Sequence, residues 1–96
     1  MTYLSKKSFI YSEMNFVALI GIVEEIKIEH TVSIVSIKVE KNLNENEKNE
    51  WYDLVLVELN NNDFASELNK INKNDIVGVK GRLSNNKVIV ERFQIF

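Results

Sequence analysis

Residues 76–96 read IVGVKGRLSNNKVIVERFQIF, two runs rich in Val and Ile separated by Ser84, Asn85, Asn86 and Lys87. Runs of this kind, bounded by turn residues, form β-strands, and a break this short joins them as an antiparallel hairpin. Asn suits the centre of the break, because its short polar side chain tolerates the left-handed backbone that a tight hairpin turn requires. The C-terminal part of the sequence therefore predicts two strands, residues 76–83 and 88–96.

Working upstream, Asn72 to Asp75 form a turn cluster, and before it Phe64, Leu68 and Ile71 stand at i, i+4 and i+7. That spacing puts the three side chains on one face of an amphipathic helix of about two turns. Asn60, Asn61, Asn62 and Asp63 precede it and supply residue types able to cap the orphan N–H groups of a helix start. Three more strands are expected ahead of the helix. Residues 16–29 begin continuously apolar and end in alternation, with Gly21 marking a bulge or sharp bend. Residues 32–41 place Val35, Ile37 and Val39 on one face and Ser36, Lys38 and Glu40 on the other. In the third strand, residues 51–59, Tyr52, Leu54 and Leu56 are expected in the core, with Trp51, Asp53, Val55 and Val57 on the opposite face. Asn42 to Glu50 are almost wholly polar and read as an exposed loop. Residues 1–14 read as an arm or short edge strand, and residues 15–96 as one domain.

Ninety-six residues, 45% hydrophobic and 27% charged, suffice for a single core. Eleven Ile and eleven Val, with three Gly and no Pro, favour sheet over irregular loops. The net charge of -2 provides no general basic field, so any polyanion binding must come from local placement of cations. The absence of cysteine removes disulfides, thiolate zinc sites and cysteine nucleophiles, and the lone His30 cannot build a histidine metal cluster. No apolar run approaches the roughly 20 residues that span a bilayer, and no signal-peptide layout opens the chain, so a cytoplasmic protein without membrane contact is expected. The glycines lack phosphate-loop spacing and no Ser or Asp stands with His30 in a triad pattern. The expectation is a protein that is not an enzyme and has no metal or other cofactor.

Three meandering strands, a helix and a closing hairpin give the connectivity of the OB-fold, a five-stranded Greek-key barrel that serves oligonucleotide or oligosaccharide ligands. An α+β sandwich can show the same order of elements, and particular residues favour the barrel. The stretch Asn15-Phe-Val-Ala-Leu-Ile-Gly21 resembles the opening strand of the bacterial single-stranded-DNA-binding protein family. Glu50-Trp51-Tyr52-Asp53-Leu54-Val55 is similar to that family's third strand, Phe64 to Leu68 to its helix, and Lys73 to Leu83, ending in Gly-Arg-Leu, to its fourth strand. The resemblance covers residues 15–96 through the order and spacing of these pieces. Three departures accompany it: a tight turn at residues 84–87 replaces a long hairpin, Val57 stands where an aromatic is frequent, and the family's acidic tail is missing after Phe96. The fold class expected is all-β with one short helix, a five-stranded OB-fold barrel.

Single strands are held by bases stacked on exposed aromatic rings along a groove whose Lys and Arg follow the phosphates. Trp51 is the candidate platform, with packing at the barrel mouth or at a subunit interface as the structural alternative. Lys38, Lys80, Arg82 and Arg92 on strands, with Lys41 and Lys87 on loops, are the candidate phosphate contacts, against the alternative of an ordinary solvated surface. Nearby carboxylates, Asp53 among them, imply modest affinity with a steep salt dependence. The resemblance implies sequence-nonspecific binding of single-stranded DNA in replication, recombination or repair, by a homo-oligomer, tetrameric or dimeric, with replication proteins as further partners. The alternative is an OB-fold protein-interaction module of a replication-restart or mobile-element complex with weak nucleic-acid binding.

Overall fold

The computed structural model describes residues 9–13, 15–40 and 52–96. They form, in order, β1 (Phe9–Glu13), β2 (Phe16–Ile28), β3 (Val32–Glu40), β4 (Tyr52–Asn60), α1 (Ala65–Lys70), β5 (Ile76–Ser84) and β6 (Lys87–Ile95). The strands make one sheet in the order β1-β2-β3-β4-β6-β5, and a further pairing of β2 with β5 closes it on itself. Five strands thus make a barrel, with β1 as an addition. All junctions are antiparallel except that of β4 with β6, which is parallel and pairs Val57 with Val88 and Glu58 with Ile89. Such a parallel junction requires a crossover, supplied here by α1 and β5.

Ile22 pairs with Lys38 on one side and Ile76 on the other, so β3 and β5 take opposite edges of β2. Because β1 pairs with β2 where β5 also does, from Val17 to Ile20, β1 lies along the same edge as β3.

The barrel interior is filled by β-branched residues from every barrel strand. Val23, Val35, Ile37, Val57, Leu59 and Val77 are fully buried, and Leu19 and Val88 nearly so. The expected inward set on β3, Val35, Ile37 and Val39, is found there. Phe64, Leu68 and Ile71 pack against this core from the helix, also as expected. At the closing hairpin, Asn85 and Asn86 take φ of 51° and 65°, the paired left-handed conformations of a type I′ turn, whose twist matches that of the flanking strands.

Two glycines allow the sheet to close by what they lack. A Cβ on Gly21 would press into the Ile37 side chain and the Lys38 carbonyl, and one on Gly81 would overlap the Ile89 carbonyl oxygen. Both have negative φ, so close approach of a neighbouring strand is the requirement. The pairing of β5 with β6 slips between Lys80 and Gly81, a bulge that sharpens the bend there. In β2 the corresponding slip falls between Val23 and Glu25, just past Gly21.

The expected orientation of the third barrel strand is reversed. Tyr52, Leu54 and Leu56 are 44%, 54% and 40% exposed, whereas Val57 and Leu59 are sealed. Pairing explains the reversal, because residues directly opposite one another on adjacent strands share a face. Val55 stands opposite Ile37 and Val57 opposite Val35, both inward, while Tyr52, Leu54 and Leu56 stand opposite Glu40, Lys38 and Ser36.

The Asn-rich segment before α1 does its capping one step removed from the helix. Phe64 occupies the N-cap position without a side-chain bond. Asn60 instead accepts from the N–H groups of Asn62 and Asp63 at 2.9 and 3.1 Å. Asn61 ties this turn to the β2–β3 hairpin. Its Oδ1 accepts from the buried Ser33 hydroxyl at 2.7 Å, and its Nδ2 donates to the carbonyls of Glu29 and His30 at 2.7 and 3.1 Å. Asn61→Ala is expected to destabilise the fold by about 1–3 kcal/mol, chiefly by stranding the buried Ser33 hydroxyl, since the Glu29 and His30 carbonyls are exposed to water. Urea denaturation checks this, and the Ser33→Ala/Asn61→Ala double variant should lose less than the sum of its parts.

Candidate functional site

The outer face of β3 and β4 carries an apolar stripe rimmed by charge. Along β4 it presents Tyr52, Leu54 and Leu56, each at least 40% exposed, and along β3 it presents Glu40, Lys38 and Ser36. Monomeric proteins seldom leave contiguous apolar surface of this kind unless something covers it. Lys38 Nζ lies 4.9 Å from the centroid of the Tyr52 ring and 3.4 Å from Glu24 Oε1. The diagonal offset of the two side chains across the β3–β4 pair makes this reach possible. The ammonium is thereby held between an aromatic face and a carboxylate, and the ring beneath it is restrained.

At the other end of the face, Lys87 Nζ meets Glu58 Oε1 at 2.9 Å. Lys87 is the first residue of β6 rather than a loop residue as expected from sequence. Glu58 pairs with Ile89 and Ile89 with Arg82, so Arg82 continues the same row onto β5. Lys80 and Arg92 stand directly opposite each other across β5 and β6, beside a cleft below α1. The barrel thus divides the five candidate cations that lie among the described residues. Lys38 and Lys87 belong to the β3–β4 face and are ion-paired, while Lys80, Arg82 and Arg92 are exposed and make no ion pair among the described residues. Lys41 and the candidate platform Trp51 lie outside the described residues.

Sequence reasoning missed Tyr52, the exposed aromatic that Lys38 overlies. The signal was available in the pairing of β4 with β3: aligning Val55 and Val57 with the inward Ile37 and Val35 turns Tyr52 outward. Among the described residues no group of three or more His, Cys, Asp or Glu could hold a metal ion, and no helix is long and apolar enough to cross a membrane.

No protein-family model and no curated protein matches the chain. Among solved structures it is similar to the Plasmodium falciparum SSB complex with ssDNA, at 18% identity and a TM-score of 0.65, over 90% of this chain and 97% of that one. It is also similar to the S. pombe Stn1-Ten1 complex, at 12% identity and a TM-score of 0.64, over 86% of this chain. The fold is the OB-fold. The chain spans 59% of the matched Stn1-Ten1 chain. At these identities the likeness concerns architecture: one short helix and a closed five-stranded barrel with a single parallel junction. In this fold the surface over the second and third barrel strands, here β3 and β4, is the usual ligand face. The Lys38–Tyr52 pair stands on it.

Proposed function

We propose that the protein binds single-stranded DNA without sequence preference, by stacking bases on the outer face of β3 and β4. The observation that carries this reading is Tyr52: an aromatic ring 44% exposed on the OB-fold ligand face, with a lysine ammonium 4.9 Å from its centroid. Every base has a π-face, so stacking on a ring contributes about 1–3 kcal/mol per base without reading sequence. Leu54 and Leu56 extend the apolar strip along which further bases or sugars lie. Glu24, Glu40 and Glu58 border the same face and repel phosphate, so affinity is modest and strongly salt dependent. The architectural likeness to an SSB in complex with ssDNA supports this reading, as do the motifs similar to the bacterial family.

The role is binding without catalysis, in the cytoplasm, on single strands exposed during replication, recombination or repair. Several copies in a homo-oligomer, tetrameric or dimeric, would raise the effective concentration of short sites, and replication proteins are further candidate partners. The exposed leucines favour one rival, a protein-interaction module that docks a partner on the same face.

Titrating oligo-dT against Trp51 fluorescence and by anisotropy, at low and at moderate salt, separates the two. Saturable binding whose log K falls linearly with log salt concentration is the expected result. A flat response at micromolar protein and low salt would sink the DNA reading and leave the apolar stripe to a protein partner.

A further inference from the structure

We infer that the cleft below α1 is a second contact point for the same single strand, taking a base against its apolar walls while Lys80 and Arg92 hold the adjoining phosphate. This inference rests on the single-strand reading above and extends it to a part of the barrel away from Tyr52. The first support is electrostatic. Lys80 and Arg92 are directly opposite across β5 and β6, an arrangement that destabilises a sheet when the charges are alike. Neither has an ion-pair partner among the described residues, and both are exposed. An anion placed between them removes the repulsion.

The second support is the cleft itself, about 600 Å³ in volume and bordered by Ile20, Phe64, Gly78 and Phe93, with Gln94 and the carboxylate of Glu67 as polar members beside Lys80 and Arg92. Apolar walls with a few polar groups are the usual make-up of a pocket for a small planar ligand. A Cβ on Gly78 would lie 3.0 Å from the Phe96 ring, so that ring, 64% exposed, stands directly over the cleft's glycine. The Phe96 N–H donates to the Ile76 carbonyl at 2.9 Å, fixing its backbone beside β5. An apolar recess and two cations without an ion pair among the described residues therefore meet at one place, with an exposed aromatic ring beside the glycine that borders it.

Continuity selects nucleic acid as the occupant. Ile22 pairs with Lys38 of the Tyr52 site, and Ile20, two residues along on the same face of β2, borders the cleft. Two residues of strand measure about 7 Å, so a strand leaving Tyr52 over Lys38 meets the cleft within a short run. The charge distribution agrees. At the Tyr52 site Lys38 shares its charge with Glu24, whereas Lys80 and Arg92 make no ion pair among the described residues.

The test compares wild type with Lys80→Gln/Arg92→Gln and with a control of equal charge change, Lys70→Gln/Lys73→Gln, on a long oligo-dT across a salt series. For the first variant we expect roughly a tenfold loss of affinity at low salt. The slope of log K against log salt should shrink by about 1.4, two contacts at roughly 0.7 each. Its melting temperature should be no lower than wild type, since a like-charge pair has been removed. The control should keep its slope. Phe96→Ala should weaken binding severalfold with the slope unchanged, the signature of a lost stack. An unaltered slope in Lys80→Gln/Arg92→Gln, with Tyr52→Ala still weakening binding, overturns the second contact point and leaves the DNA reading standing. Equal losses in the control overturn it too. If wild type does not bind oligo-dT at all, both readings fall. If oligo-glutamate then binds in a Lys80- and Arg92-dependent way, the cleft belongs to an acidic peptide.

Discussion

Tyr52→Ala is expected to weaken binding of single-stranded DNA by about one to two orders of magnitude while leaving the barrel folded. A stacked base is worth about 1–3 kcal/mol, and every 1.4 kcal/mol is tenfold in affinity, so losing one platform falls in this range. The structural cost is small by comparison. Tyr52 is the first residue of β4 and is 44% exposed, with no part in the buried core. Its contact with Lys38 is a partly solvated cation–π pair, worth about 0.5–1 kcal/mol. Tyr52→Phe should keep most of the affinity, because the hydroxyl takes no part in stacking, and Tyr52→Trp should match or exceed wild type. Anisotropy at fixed salt, read beside melting temperature, is the measurement. Unchanged affinity in Tyr52→Ala would remove this face from the binding path, and a collapse in melting temperature would make the residue structural.

Gly81→Ala is expected to be the most damaging single substitution for stability, at about 3 kcal/mol or more. The added Cβ overlaps the Ile89 carbonyl oxygen and crowds Val88 Cγ1 at 3.0 Å. Overpacking in a well-packed region typically costs 1–3 kcal/mol when side chains can move aside. Here the obstacle is backbone, and it belongs to the two residues, Val88 and Ile89, through which β6 pairs with β4. Relieving the clash pulls β6 from β5 or from β4, and either movement opens the barrel. Gly78→Ala is the informative companion. Its Cβ meets only the exposed Phe96 ring, at 3.0 and 3.2 Å, and that ring can swing away, so a loss under about 1 kcal/mol is expected. Urea denaturation of the two variants gives the comparison. Similar losses at both glycines would contradict the tight β5–β6 approach.

The closing hairpin was legible because Asn85 and Asn86 have few other uses between two β-branched runs, and both take the left-handed backbone expected of them. The inward face of β3 was legible because Val35, Ile37 and Val39 alternate with polar residues. On β4 both faces are apolar, so alternation carried no information there and only the pairing with β3 settles which side is buried. Lys38, Lys80, Arg82 and Arg92 alternate with buried residues on their strands, but in a closed barrel outward directions diverge. Lys38 and the Lys80–Arg92 pair face different surroundings although all three alternate properly along their strands. Asn61 could not have been read from sequence, since its partners Ser33, Glu29 and His30 lie about thirty positions earlier and meet it only in the folded chain.

The closure of the barrel also bears on how quickly the molecule assembles. The meander of β2, β3 and β4 and the ribbon of β5 and β6 can each zip up from sequence neighbours. Joining them requires six pairs with β2 and only two with β4 to form across the intervening helical connection. Because the entropy of bringing such distant segments together is lost before their contacts compensate, docking of the two ribbons is expected to be slower than the zipping of either, with the short parallel seam expected to form last.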